Sequence, residues 1–111
     1  MRRWLSLLAA VAVLVAGCGS QTTDQHLETV KSLAAEGALL ADGVAGDRTL
    51  GPYAREHAKQ LREFADQEVA ALEGTDAAGE AETVARLLGD LESADAARAG
   101  QIADDLREAA K

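Results

Sequence analysis

The side chains that could do chemistry in this sequence are one cysteine, two histidines and a large excess of carboxylates. Cys18 is the only thiol among 111 residues, and His26 and His57 are the only imidazoles. A thiol can act as a nucleophile, a metal ligand or a site of acylation, and an imidazole can bind a metal or transfer protons. A single cysteine also excludes an internal disulfide. The surroundings of these three residues therefore decide which chemistry is open to the chain.

The spacing of the two histidines argues against a shared metal ion. If the helices that carry them form an antiparallel hairpin, His57 faces Leu40, which lies well over three helical turns from His26. At about 1.5 Å per helical residue the two imidazoles are then roughly 21 Å apart, too far to hold one ion. His57 is expected at the edge of the core, with Glu36 or another carboxylate near it, where it could titrate. A histidine on the helix surface or at the core edge is the simpler interpretation of each.

The carboxylates lack the spacing of a metal site. Ferritin-like bundles use Glu three residues before His on two helices, but Thr23 precedes His26 and Ala54 precedes His57 at that spacing. Two acidic groups could hold Ca²⁺ weakly, although neither has the alternating ligands and central glycine of a calcium loop. These groups are Asp90, Glu92 and Asp95, and Asp104, Asp105 and Glu108. Solvated helix faces explain them better, so we predict no metal and no cofactor.

Nucleophilic and nucleotide chemistry lack support as well. Neither Ser32 nor Ser93 has a histidine in an arrangement that the sequence could justify as catalytic. The glycines are scattered, and none of them forms a phosphate-binding loop after a strand. We therefore expect that the chain is not an enzyme.

The residues before Cys18 have the order of an export signal. The chain begins with the positively charged Met1-Arg2-Arg3, and an apolar run from Trp4 to Gly17 follows. This run is shorter than the roughly 20 residues that a membrane-spanning helix needs, and the order is typical of a secretory signal peptide. Residues 1–17 are therefore predicted to be a signal peptide.

The segment Leu14-Val15-Ala16-Gly17-Cys18 resembles the lipobox of bacterial lipoproteins. The resemblance implies that the thiol of Cys18 is joined to diacylglycerol, and that cleavage makes Cys18 the first residue of the mature chain, with an acylated amine. It further implies a protein on the extracytoplasmic face of the cell membrane, attached through the lipid on Cys18. The rest of the chain, rich in Ala, Gly and Arg, is similar to small helical lipoproteins of actinobacteria.

Composition restricts the partners of the chain from Cys18 onward. Arg2 and Arg3 leave with the signal peptide, so 9 basic and 19 acidic residues remain, a formal charge of −10. Nucleic acids are excluded as partners because they bind clustered Lys and Arg. Anionic lipid headgroups repel such a chain, so membrane attachment would depend on the acyl chains. A protein of the cell envelope remains the expected partner.

Hydrophobic periodicity predicts that the chain after Cys18 is helical. Residues 18–23 are expected to be a tether, and residues 24–111 a single helical domain. Thr22 and Gln25 have the spacing of a capping box, which would start a first helix of about 20 residues near Asp24. Glycines and the only proline predict a turn at Gly46–Pro52. A second helix is expected from Tyr53 to about Glu73, followed by a break at Gly74–Asp76.

The apolar positions predict how these helices pack. Small residues recur along the buried stripes of the first two helices and would let them approach closely. These residues are Ala34, Gly37, Ala41, Ala54, Ala58 and Ala65. Phe64 and Val69 are expected beside the buried face of the second helix. After the second break, the apolar positions on one face are Val84, Leu87, Leu88 and Leu91, and the pattern returns at Ile102 and Leu106. We predict an all-α, small antiparallel bundle of three helices, or four if the last is split near residues 93–100.

These features favour a helical binding module anchored in the cell envelope. Leu39 and Leu50 lie off the main apolar stripes and are candidates for contact with a partner. The alternative is a structural protein that tethers the envelope or associates with itself. Lys111 supports that alternative through its resemblance to murein-anchored lipoproteins, in which a final lysine is joined to the cell wall. A metal-handling, ferritin-like domain is the less favoured third class.

Overall fold

The computed structural model describes residues 22–48 and 51–111, so the predicted signal peptide, Gly17, Cys18 and Leu50 lie outside it. The described residues form four helices and no strand, which confirms the expected all-α bundle in its four-helix form. The helices are α1 (Thr23–Ala45), α2 (Gly51–Ala71), α3 (Ala78–Leu91) and α4 (Ala96–Ala109). Among these four, none is long and apolar enough to cross a membrane.

The start of α1 follows from the capping box that the sequence predicts. The backbone N–H of Gln25 donates to Thr22 Oγ1 at 3.2 Å, and the N–H of Thr22 donates to Gln25 Oε1 at 2.8 Å. Two backbone donors that would otherwise lack a partner at the helix start are thereby satisfied. The helix includes Thr23, which the sequence assigned to the tether.

Local chemistry also explains the two later breaks. Gly74 adopts a φ of 81° between α2 and α3, a backbone conformation that side chains with a Cβ rarely adopt. The last apolar segment is split because Asp95 caps α4, its side chain accepting a hydrogen bond from Arg98 N at 2.8 Å. Gly100 stays within α4, so the split lies at the beginning of the expected interval.

The helices pack around a core that is entirely apolar within the described residues. Helix α1 packs most extensively on α4, and α2 packs most extensively on α3, while α1 also contacts α2 and α3. The largest fully buried side chains are Leu72, Leu88, Ile102, Leu106, Val30 and Val84. All six small residues predicted for the seams are buried, which confirms their expected role in close packing.

Gly37 lies where leucine side chains of α3 and α4 come close to the backbone of α1. A Cβ added at this position would lie 2.6 Å from Leu88 Cδ2 and 3.1 Å from Leu106 Cδ1. Ordinary contacts between carbon atoms are about 3.5–4.0 Å, so the absence of a side chain at Gly37 is what allows α3 and α4 to pack against α1 here.

Phe64 borders the buried face of α2 but leaves most of its side chain exposed to solvent. Its side chain is 55% exposed, whereas the neighbouring Leu61 and Ala65 are buried. The buried stripe of α2 is narrow because alanines dominate it, so the helix turns Phe64 beyond the edge of the core. Val69 is partly buried against the core, as expected.

Candidate binding surfaces

Two histidine–carboxylate pairs join α1 to α2. Nδ1 of His26 lies 2.6 Å from Oε2 of Glu68, and Nε2 of His57 lies 3.7 Å from Oε1 of Glu36. The expected neighbour of His57 is therefore confirmed, and the partner of His26 is new. His26 and Glu36 are separated by nearly three turns of α1, which places the two pairs about 15 Å apart along the helix. Each imidazole is engaged by its own carboxylate.

The register expected for the hairpin already brings Glu68 near His26, although this pair was not predicted. The expected pairing of α1 with α2 places His26 opposite Ala71, and Glu68 lies one helical turn before Ala71. Residues one turn apart share a helix face, so Glu68 was within reach of the imidazole.

Five of the six acidic side chains considered for calcium pair with a basic side chain or cap a helix. The ion pairs are Asp90–Arg98 at 3.3 Å, Glu92–Arg62 at 3.3 Å, Asp104–Arg107 at 2.9 Å and Glu108–Lys111 at 2.9 Å. Asp95 caps α4. Within residues 22–48 and 51–111, no group of three or more His, Cys, Asp or Glu side chains is arranged to hold a metal ion.

Arg107 of α4 also bridges to Asp42 of α1, on the surface where these two helices pack. The hydrogen bond that Arg107 donates to Asp42 raises the pKa of its guanidinium, and the charges of Asp42 and Asp104 add to that effect. The guanidinium therefore stays charged, and it ties the end of α4 to α1 at the solvent-facing edge of their contact.

The most prominent surface feature is a set of large apolar side chains that the bundle leaves exposed. Leu39 of α1 is 74% exposed, and Tyr53 and Phe64 of α2 are 61% and 55% exposed. Isolated exposed leucines are ordinary, but a group of large apolar residues on one side of a small domain is more informative. Whether these three residues belong together depends on what lies between them.

Helix geometry and a side-chain contact link Tyr53 and Phe64 into one surface. Tyr53, His57, Gln60 and Phe64 recur at spacings of four, three and four residues, so they lie along one stripe of α2. The rings of Tyr53 and His57 pack edge to face, with centroids 5.7 Å apart. His57 in turn contacts Glu36 of α1, whereas Leu39 lies on the outer side of α1, away from the core. We call the surface formed by Tyr53, His57, Gln60 and Phe64 the aromatic face.

Acidic side chains border the aromatic face. Glu56 lines a shallow depression with Tyr53 and His57, Glu36 contacts His57 from α1, and Glu63 is exposed beside Phe64. A surface with large apolar side chains and a negative border is complementary to a surface that combines apolar and basic side chains. The geometry suits binding of a protein surface.

The fold and this surface define a small acidic helical bundle that displays an aromatic face. Of the two residues that the sequence proposed for contact, Leu39 is exposed on α1 apart from this face, and Leu50 lies outside the described residues. Tyr53 and Phe64 were missed, although their spacing in α2 could have shown that they share a stripe. No protein-family model, curated protein or solved structure matches the chain.

Proposed function

We propose that the chain is a lipid-anchored binding module of the bacterial cell envelope. Cys18 carries the lipid and holds the bundle on the extracytoplasmic face of the membrane, and the aromatic face binds a basic partner protein. The order of positive residues, apolar run, small residues and cysteine supports the anchor. The observation that carries the binding role is the exposure of Tyr53 and Phe64 on one face, since the other large apolar side chains of the described residues, Leu39 excepted, are buried or half-buried.

The charge of the chain favours a basic partner over a second copy. From Cys18 onward the formal charge is −10, so two copies that meet face to face repel each other. The acidic border of the aromatic face would place Glu36, Glu56 and Glu63 close to their counterparts in such a dimer. A partner with Lys or Arg around an apolar patch would make apolar contacts with the aromatic face and ion pairs with its acidic border. Its association would be faster at low salt.

We expect that Cys18→Ala abolishes both membrane attachment and processing of the precursor. The thiol is the proposed site of acylation, and the chain has no other cysteine that could replace it. Fractionation of cells and gel mobility measure the two effects. Ser20→Ala, two residues further on, is the matched control and should be processed and membrane-bound like the wild type. A Cys18→Ala protein of mature size in the membrane fraction would refute the anchor.

The aromatic face is tested with a photo-crosslinking amino acid at Tyr53 in intact cells. We expect one discrete adduct, whose crosslinked peptide, identified by mass spectrometry, lies beside Lys or Arg on an envelope protein. The same amino acid at Glu82, an exposed position of α3, is the control and should give no such adduct. A second substitution, Phe64→Ser, should reduce the Tyr53 adduct about tenfold, because a few large apolar residues dominate most interfaces.

Two results would contradict this assignment. Equal adducts from Tyr53 and Glu82 would show that the face has no preference for a partner. An adduct of the chain with itself would favour the structural alternative of self-association.

A further inference from the structure

A second surface, separate from the aromatic face, is a groove between α1, α3 and α4. Its volume is about 680 Å³, within the range of roughly 300–1,000 Å³ that is typical of small-ligand sites. Leu27 and Ala109, both half-buried, and the buried Leu87 supply its apolar lining, and Gly79 leaves one wall without a side chain. The groove is open along one side and is more apolar than polar.

The charges of the groove are arranged unevenly. Arg86, Glu80, Asp105, Glu108 and Lys111 also line it, and all five are exposed, so they form a solvated rim. The two rim cations have acidic neighbours, since Lys111 pairs with Glu108 at 2.9 Å and Arg86 lies 3.9 Å from Asp90.

Lys31 differs from the charged residues of the rim. It is the only charged residue of the lining that is half-buried, and no carboxylate of the described residues lies within ion-pair distance of it. Its four-carbon stem can line apolar surface while its ammonium reaches polar surroundings. A partly desolvated cation beside an apolar wall is complementary to a ligand with an anionic head and an apolar tail.

We propose that this groove binds a fatty acid, with the hydrocarbon chain along Leu27 and Leu87 and the carboxylate at the ammonium of Lys31. A single chain fits because the groove runs between helices and is open along one side. Partial burial at Leu27 and Lys31 leaves apolar surface that the hydrocarbon chain of the ligand would cover. The acidic rim disfavours headgroups of higher negative charge, so a single carboxylate is the preferred head.

The test is photolabelling with palmitic acid that carries a diazirine on its chain. The probe is added to the purified full chain in phosphatidylcholine vesicles, and labelled peptides are mapped by mass spectrometry. We expect label on the segments that contain Leu27, Thr83 and Leu87. These segments contain neither the aromatic face nor Cys18. The labelling result therefore tests the groove whether or not the proposed partner and the proposed lipid anchor are correct.

Gly79→Phe tests the groove itself. A Cβ at Gly79 meets no atom within 4 Å, so a phenylalanine can enter the groove without disturbing the fold. We expect this variant to lose at least nine-tenths of the label. Ala70→Phe, an exposed position on α2, adds the same ring outside the groove and should retain it. Equal labelling of the two variants would overturn the proposal.

Lys31→Gln tests the carboxylate. Loss of a charge-assisted hydrogen bond should lower labelling at limiting probe about tenfold, while Lys59→Gln on the exposed surface of α2 should leave it unchanged. A hexadecanol probe with the same diazirine lacks the carboxylate and should label the wild type and Lys31→Gln equally weakly. If Lys31→Gln takes up palmitic acid as well as the wild type, the assignment of a fatty acid is wrong.

Discussion

Replacement of Leu88 by alanine is expected to lower the free energy of unfolding by about 3–5 kcal/mol. Leu88 is fully buried, and its Cδ2 fills the space over Gly37 where α3 meets α1. The substitution removes buried apolar surface and leaves a cavity, which this core of helices and small residues can close only in part. A domain of this size has a stability of about 5–10 kcal/mol, so the loss is a large fraction of the total.

The measurement is thermal unfolding followed by circular dichroism. A loss of 3 kcal/mol in a domain of this size corresponds to a fall in Tm of about 10–25 °C. Leu39→Ala is the matched control, because it makes the same chemical change at a residue that is 74% exposed. Its effect should stay within about 0.5 kcal/mol. Similar Tm values for the two variants would show that Leu88 is not in the core.

Substitution of Gly37 by leucine is the second change with a large expected effect. Even the Cβ of the new residue would lie 2.6 Å from Leu88 Cδ2, and its remaining carbons would enter the contact between α1, α3 and α4. Overpacking of this kind costs about 1–3 kcal/mol, and more when helices must separate. Leucine is the better helix former by about 1 kcal/mol, which offsets part of this cost. We expect a net loss of about 1–2 kcal/mol, at the upper end if the helices separate.

Gly79→Leu separates the packing effect from helix propensity. A Cβ at Gly79 meets no atom within 4 Å, so this variant gains propensity without a clash. Urea unfolding of both variants should show a lower midpoint for Gly37→Leu and an equal or higher midpoint for Gly79→Leu. A Gly37→Leu protein as stable as the wild type would mean that the helices pack further apart at this point.

The fold followed from patterns that act locally. Apolar residues at every third or fourth position predict where a helix runs. The Thr22–Gln25 capping box and the glycines between segments predict where helices begin and end. Gly37 could be placed on a seam for the same reason. The large exposure of Phe64 could not be predicted. Periodicity indicates which side of a helix is apolar, but not how wide a strip of that side the neighbouring helices cover.

The candidate surfaces were harder to predict because they depend on pairs and triples of helices. Glu68 meets His26 only through the register of α1 against α2, and the groove exists only where α1, α3 and α4 come together. The sequence carried some of this information in the spacing of Tyr53 and Phe64. It carried little about Lys31, whose setting depends on residues of three helices.

Under the proposed lipid anchor, the length of α1 would set how far from the membrane the protein can act. At about 1.5 Å per residue, Glu36, which contacts His57 of the aromatic face, lies roughly 20 Å along α1 from Thr23. The five residues from Cys18 to Thr22 span at most about 18 Å. If Cys18 carries lipid as proposed, the aromatic face would therefore reach no further than about 40 Å from the lipid surface. A partner would then have to bring its basic surface within that distance, and proteins held further out could not be bound.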